Sequence, residues 1–299
     1  MRPIRISMLL LITLATLPAQ GFFLWQAEKD GHIVHLLGTV HVLTDDFYPL
    51  PGEMDSVFQE ADLVIFETDL SRERMKESRK QLMARALYPD GETVESDLTP
   101  EAGQALKAYC RKQQVNYQQL IRLRPWMIAA NLTQIELVRA GALLAKGMDQ
   151  QYFKHAEAAG KDLGFLESAE GQAAWFTGLD LNMQSALLMK TLDDFQNLPS
   201  MLQRTYEAWR RSDLVAMKAL VDDSFEGFPE IREELLMRQN REWAEEIENQ
   251  ILFADHPLVF VKSAHLVGDN SLLDELQARG FTIHQVVSGA EPPASGSEQ

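Results

Sequence analysis

A chain of 299 residues with 45% hydrophobic and 24% charged residues has the material for a sizeable core, which argues against global disorder. Its formal charge of −16 argues against nucleic acid and anionic membrane surfaces as partners, because a polyanion is repelled over most of such a surface. Cys110 stands alone, so neither an intramolecular disulfide nor a thiolate metal cluster can form.

Arg2 and Arg5 precede an apolar run over residues 6–17, which Pro18-Ala19-Gln20-Gly21 breaks. Such a run falls short of the roughly 20 residues that a bilayer span requires. The expectation is a secretory signal peptide over residues 1–21, cleaved after Ala19 or Gly21, with an uncleaved anchor as the alternative. The remainder is expected to be periplasmic or secreted, with no further membrane span.

Residues 22–27 and 32–37 read as strands joined by Glu28-Lys29-Asp30-Gly31, whose Asp-Gly pair signals a hairpin. The second strand carries IVHLLGTVH, in which Gly38 allows a sharp turn or a close backbone approach to a ligand before His41. A helix over residues 49–61 leads to a strand at 63–66 that delivers Glu67. The sequence then turns charged and helical, with helices predicted over 71–87, from Thr99-Pro100-Glu101 to 113, and from Arg124-Pro125-Trp126 to 139. Asp149 reads as the cap of a helix that Gly160 stops. Residues 161–167 form a strand ending in Glu167, an ion-pair partner. Amphipathic helix follows over 172–211 and 212–222, and a long helix over 231–253 carries Gln239, Asn240, Arg241 and Trp243. A strand at 258–261 leads to His265. Gly268-Asp269-Asn270 is expected to cap a helix over 271–279 before a last strand at 281–287, and residues 288–299 read as a disordered tail.

Short uninterrupted apolar runs read as strands buried on both faces, hence parallel and covered by helices. The fold class is therefore mixed α/β (α+β), with a largely parallel sheet, an N-terminal hairpin and a large helical insertion over about 71–160 and 170–253. Ligands gather at the carboxyl ends of strands in such sheets, so His41, Glu67 and His265 are expected to converge there. Two imidazoles and a carboxylate are donors suited to a borderline divalent ion. There is no Gly-x-Ser-x-Gly elbow and no phosphate-binding glycine loop, which removes serine-hydrolase and nucleotide chemistry.

Taken together, FLWQAEKDGHIVHLLGTVHV, the strand ending in Glu67, Gly147-Met148-Asp149, Leu166-Glu167-Ser168, Asn240-Arg241-x-Trp243 and Ala264-His265-Leu266-Val267-Gly268 resemble the TraB/GumN family. They match in the family's order over residues 22–287. The resemblance extends to the Tiki proteins, metal-dependent proteases with two Gly-x-x-His motifs and an acidic residue. It reaches more distantly to the erythromycin esterase and haem-binding ChaN-like groups. It implies His41, Glu67 and His265 as catalytic and metal-binding residues, with manganese, cobalt or zinc as the ion. It further implies Gly38, Asn240 and Arg241 at the substrate, a peptide or small molecule. Two positions depart from the pattern. Lys262 stands where the second motif has glycine, and Gln239 stands where the family has arginine before Asn240. Beside a bound cation the lysine ammonium would weaken binding, unless strand alternation turns it away. The resulting expectation is a metal-dependent hydrolase, most simply a peptidase. The alternative is a non-catalytic protein that sequesters a peptide, haem or another small ligand on the same scaffold.

Overall fold

The computed structural model describes residues 21–43, 50, 52–143, 146–168 and 178–287. The expected signal peptide and C-terminal tail lie outside the described residues, apart from Gly21. Among those residues, strands β1 (Gly21–Lys29), β2 (His32–Thr39), β3 (Leu63–Phe66), β4 (Asp162–Phe165), β5 (Pro257–Lys262) and β6 (Thr282–Val287) form one sheet in the order β4-β3-β5-β2-β1-β6. The pairs β4/β3, β3/β5 and β5/β2 are parallel, whereas β1 lies antiparallel to β2 and β6. The predicted mixed, largely parallel sheet with an opening hairpin is the architecture found.

Local chemistry accounts for the elements. Asp30 (φ 51°) and Gly31 (φ 81°) both take positive φ, the geometry of a tight turn matched to strand twist, and this sets Lys29 opposite His32. The first helices are α1 (Gly52–Glu60), α2 (Arg72–Ala86) and α3 (Pro100–Gln113). Thr99 caps α3 by accepting from Ala102 N, with proline in the first turn. They are followed by α4 (Tyr117–Leu120), α5 (Pro125–Arg139) and α6 (Met148–Ala159), which Gly160 ends at φ 67°. Asp149 is not the cap of α6: Gly147 holds that position, and Asp149 is buried in the first turn. After β4 come α7 (Leu181–Asp194), α8 (Leu198–Arg210) and α9 (Leu214–Ser224). Where one amphipathic helix was expected up to residue 211, the described part is broken at residues 195–197, just before Pro199 in the first turn of α8. The long helix expected over 231–253 is a composite of α10 (Pro229–Arg232), a π-helical stretch Glu233–Arg238, α11 (Gln239–Gln250) and a 3₁₀ turn Ile251–Phe253. Helix α12 (Leu272–Ala278) is capped by Ser271, not by residues 268–270, in a reciprocal capping box with Asp274.

Two apolar clusters hold these layers. The larger one covers the sheet, and Phe66 of β3 stacks on Phe260 of β5 with ring centroids 5.0 Å apart. Full burial of each ring contributes about 1.5–3 kcal/mol. The second cluster joins Leu106 of α3, Trp126 and Leu132 of α5 and Leu188 of α7, so helices from both sides of β4 share one small core.

Gly38 of β2 has no positive φ to satisfy; its need is space. A Cβ there would lie 3.0 Å from Phe23 Cδ1 and from Leu266 Cδ1, and 3.1 Å from Ser263 Oγ. Gly38→Ala is therefore expected to lower stability by about 1–3 kcal/mol through overpacking. Urea denaturation measures this, and an unchanged midpoint would mean that the neighbours yield freely.

Candidate functional site

Four adjacent parallel strands end on one edge, and each delivers a polar side chain there. His41 follows β2, Glu67 follows β3, Glu167 follows β4, and Lys262 closes β5 just before the 3₁₀ turn Ser263–Leu266 that holds His265. The edge is kept in line by backbone bonds beyond the strands: Leu166 N donates to Phe66 O at 3.0 Å and Glu167 N to Glu67 O at 2.9 Å.

His41 is pinned from both sides. Met148 N donates to Val40 O at 3.3 Å, and the Tyr206 hydroxyl of α8 donates to Val42 O at 3.0 Å. Its Nδ1 lies 2.8 Å from Asp149 Oδ2, and its Nε2 lies 3.7 Å from Glu67 Oε2. Asp149 Oδ1 accepts from Thr39 Oγ1 at 3.0 Å, whereas the buried Oδ2 accepts no well-aligned hydrogen bond and meets His41 as an ion contact. Loss of water opposes a charge on His41, but Asp149 and Glu67 outweigh it and push its pKa up to about 9. The His41 side chain remains 33% exposed, whereas that of Glu67 is 8% exposed.

Glu67 reaches across to β5. The Lys262 backbone N–H donates to its Oε1 at 2.6 Å, and the Lys262 ammonium is bonded to Oε2. Burial would raise the Glu67 pKa, yet the ammonium and His41 hold it well below the ordinary carboxylate range. Lys262 thus turns toward the site, not away from it.

His265 is buried and stacks against Trp243 of α11, with centroids 4.4 Å apart and ring planes at 41°. Asn240 Nδ2 is committed to Asn270 O at 2.7 Å, so its Oδ1 accepts from His265 Nδ1 at 2.8 Å. That bond leaves Nε2 as the lone-pair nitrogen of a neutral ring, and burial pushes the His265 pKa down to about 3. Burial also raises the Glu167 carboxyl, whose Oε2 accepts from Gln239 Nε2 at 3.1 Å.

The structure therefore brings His41, Glu67 and His265 to one edge, with Asn240 behind His265. Two other expected substrate contacts are placed elsewhere. Arg241 turns outward and pairs with Glu233 at 2.6 Å, both about half exposed. Gly38 packs against protein, and its carbonyl accepts from the buried Trp209 indole at 2.8 Å. Spacing had not pointed to Thr39 or Lys262 as partners within this cluster. The signal available for Asp149 was the Gly147-Met148-Asp149 segment, which puts an acid in the first turn of a helix far along the chain from His41.

A pocket of about 210 Å³ opens beside this cluster, lined by Thr39, His41, Lys262 and Ser263 on the sheet side and by Met217 and Val221 of α9. Among the described residues, no group of three His, Cys, Asp or Glu side chains is arranged to share an ion. Both Glu67 oxygens are engaged by Lys262, one by its backbone N–H and the other, the oxygen nearest His41 Nε2, by its ammonium. As the side chains stand, this donor set does not fit a divalent ion.

The fold and this edge define an α/β protein with a charged histidine–carboxylate cluster at the carboxyl ends of its parallel strands. The TraB/PrgY/gumN family pattern matches residues 23–285, and the chain belongs to that family. It is similar to "Uncharacterized protein YbaP" of Escherichia coli (strain K12), 24% identical over 264 residues that cover 83% of this chain and 95% of that protein. The protein of the same description from Shigella flexneri matches to the same extent. No solved structure matches the chain.

Because the Glu67 pKa is depressed on folding, the pair contributes stability above the ordinary carboxylate range and loses it as the pH falls through the folded value. The melting temperature of the wild type is expected to fall more steeply than that of Glu67→Gln as the pH drops from about 5 to about 2. Parallel curves would show that Glu67 is not held ionised by its neighbours.

Proposed function

We propose that this chain is a hydrolase of acyl bonds in peptides or small molecules, acting outside the cytoplasm once a signal peptide has directed its export. The observation that carries this reading is the 2.8 Å contact between His41 Nδ1 and Asp149 beside an open pocket. Asp149, held by Thr39, orients the ring and favours its protonated form. As a water molecule adds to the acyl carbon, Nε2 gives its proton to the leaving group and takes one from the attacking water, so that the acid and the alcohol or amine are released and the ring returns to its starting state. Lys262, which lines the same pocket and whose ammonium is bonded to Glu67, offers positive charge to a carbonyl oxygen as it becomes negative. No step is routed through a metal ion, because both oxygens of the expected carboxylate ligand are taken.

One observation favours a second reading, a protein that sequesters a ligand. The ion pair with Glu67 occupies the Lys262 ammonium, and His41 holds its proton at neutral pH, so the pocket would bind a ligand without converting it.

The test is turnover of a panel of fluorogenic peptides and chromogenic esters by wild type, His41→Ala and Asp149→Asn. The hydrolase reading expects kcat to fall by roughly 10²–10⁴-fold in both variants with folding retained. Turnover by the wild type that survives in His41→Ala would reject it. Saturable binding of a peptide or haem without turnover would favour the second reading.

A further inference from the structure

We propose that the Lys262 ammonium occupies the place of a divalent cation in this cluster, so that the site carries its positive charge covalently and takes up no metal ion. The strand register sets its position. Lys262 is the last residue of β5 and lies opposite Thr39 at the end of β2, with β3 on its other side. Its side chain therefore leaves the sheet at the middle of the edge, between His41 and Glu67. The ammonium is bonded to Glu67 Oε2, the same oxygen that lies 3.7 Å from His41 Nε2. An ion shared by a carboxylate and an imidazole has to sit against both of those atoms, with bonds near 2 Å. Here the ammonium holds the shared oxygen, and the backbone N–H of the same residue holds the other one at 2.6 Å.

The pairing satisfies the buried carboxylate from within the chain. A carboxylate as buried as Glu67 is costly unless paired, and the ammonium pairs it. Without a side chain at position 262, the Glu67 oxygen nearest His41 Nε2 would lose its ammonium partner, and a carboxylate and an imidazole would stand open to a shared metal ion. The chemistry differs accordingly. An ammonium donates hydrogen bonds to a developing negative charge, but it has no open coordination position and does not activate a bound water. This inference goes beyond the proposed hydrolase activity and holds equally for a binding protein.

The purified full chain is incubated with Mn²⁺, Co²⁺ or Zn²⁺, freed of excess ion, and its metal content measured by mass spectrometry. The wild type is expected to retain no ion that depends on Glu67, as judged against Glu67→Gln, whereas Lys262→Gly retains about one per chain and Lys262→Gly/His41→Ala loses it. A Glu67-dependent ion on the wild type would overturn the proposal. So would a Lys262→Gly protein, shown folded by circular dichroism, that retains none. If the glycine variant does not fold, Lys262→Ala takes its place, and the wild-type comparison stands without either. Because turnover is not the readout, this result is separable from that of the activity assay.

Discussion

Everything at this edge hangs on a carboxylate that leaves one strand and is gripped by its neighbour. Glu67 follows β3, yet both of its oxygens are bound by Lys262 at the end of β5. A lone carboxylate buried to this degree would cost several kcal/mol, so the pairing is a condition for the acid to be there at all. It also ties together the ends of two parallel strands whose side-by-side order comes from helical crossovers. Parallel neighbours cannot be joined by a tight turn, and here long helical segments follow β3 and β4 before the chain returns as β5.

The helical segments do more than cover the sheet. The histidine after β2 is fixed because α6 and α8 each bond a carbonyl beside it, and α8 also sends the Trp209 indole to Gly38 O. The histidine after β5 is fixed by α11, through Asn240 on Nδ1 and Trp243 against the ring. The π-helical stretch directly before α11 resets the helical face, and Gln239, Asn240 and Trp243 are among the buried residues of the helix that follows. Two imidazoles of the same chemistry thus end in opposite states. His41 lies between carboxylates and gains a proton, whereas His265 lies against indole and amide and stays neutral.

The sheet was legible because its signals are local. Asp30-Gly31 specifies the hairpin, and the apolar runs before Glu67 and His265 specify strands buried on both faces. The convergence of His41, Glu67 and His265 on one edge was readable from strand direction alone. The partners that set their states were not, because they depend on where side chains point. Lys262 could face either way along its strand, and Asp149 in the first turn of a helix looks like a cap until its contact with His41 is seen. Arg241 adjoins Asn240 in sequence, but one step turns about 100° around a helix and brings it to the exposed side, where it pairs with Glu233. Gly38 read as a place for a ligand, yet the atoms crowding it are Phe23, Leu266 and Ser263.

The most direct measurement of the central claim is a double-mutant cycle on stability with Glu67→Gln, Lys262→Met and the pair together. The account predicts that the single changes are strongly non-additive, with a coupling of about 1–3 kcal/mol, because each alone leaves its former partner charged and unpaired. Additive effects would contradict it, showing that the two side chains do not depend on each other.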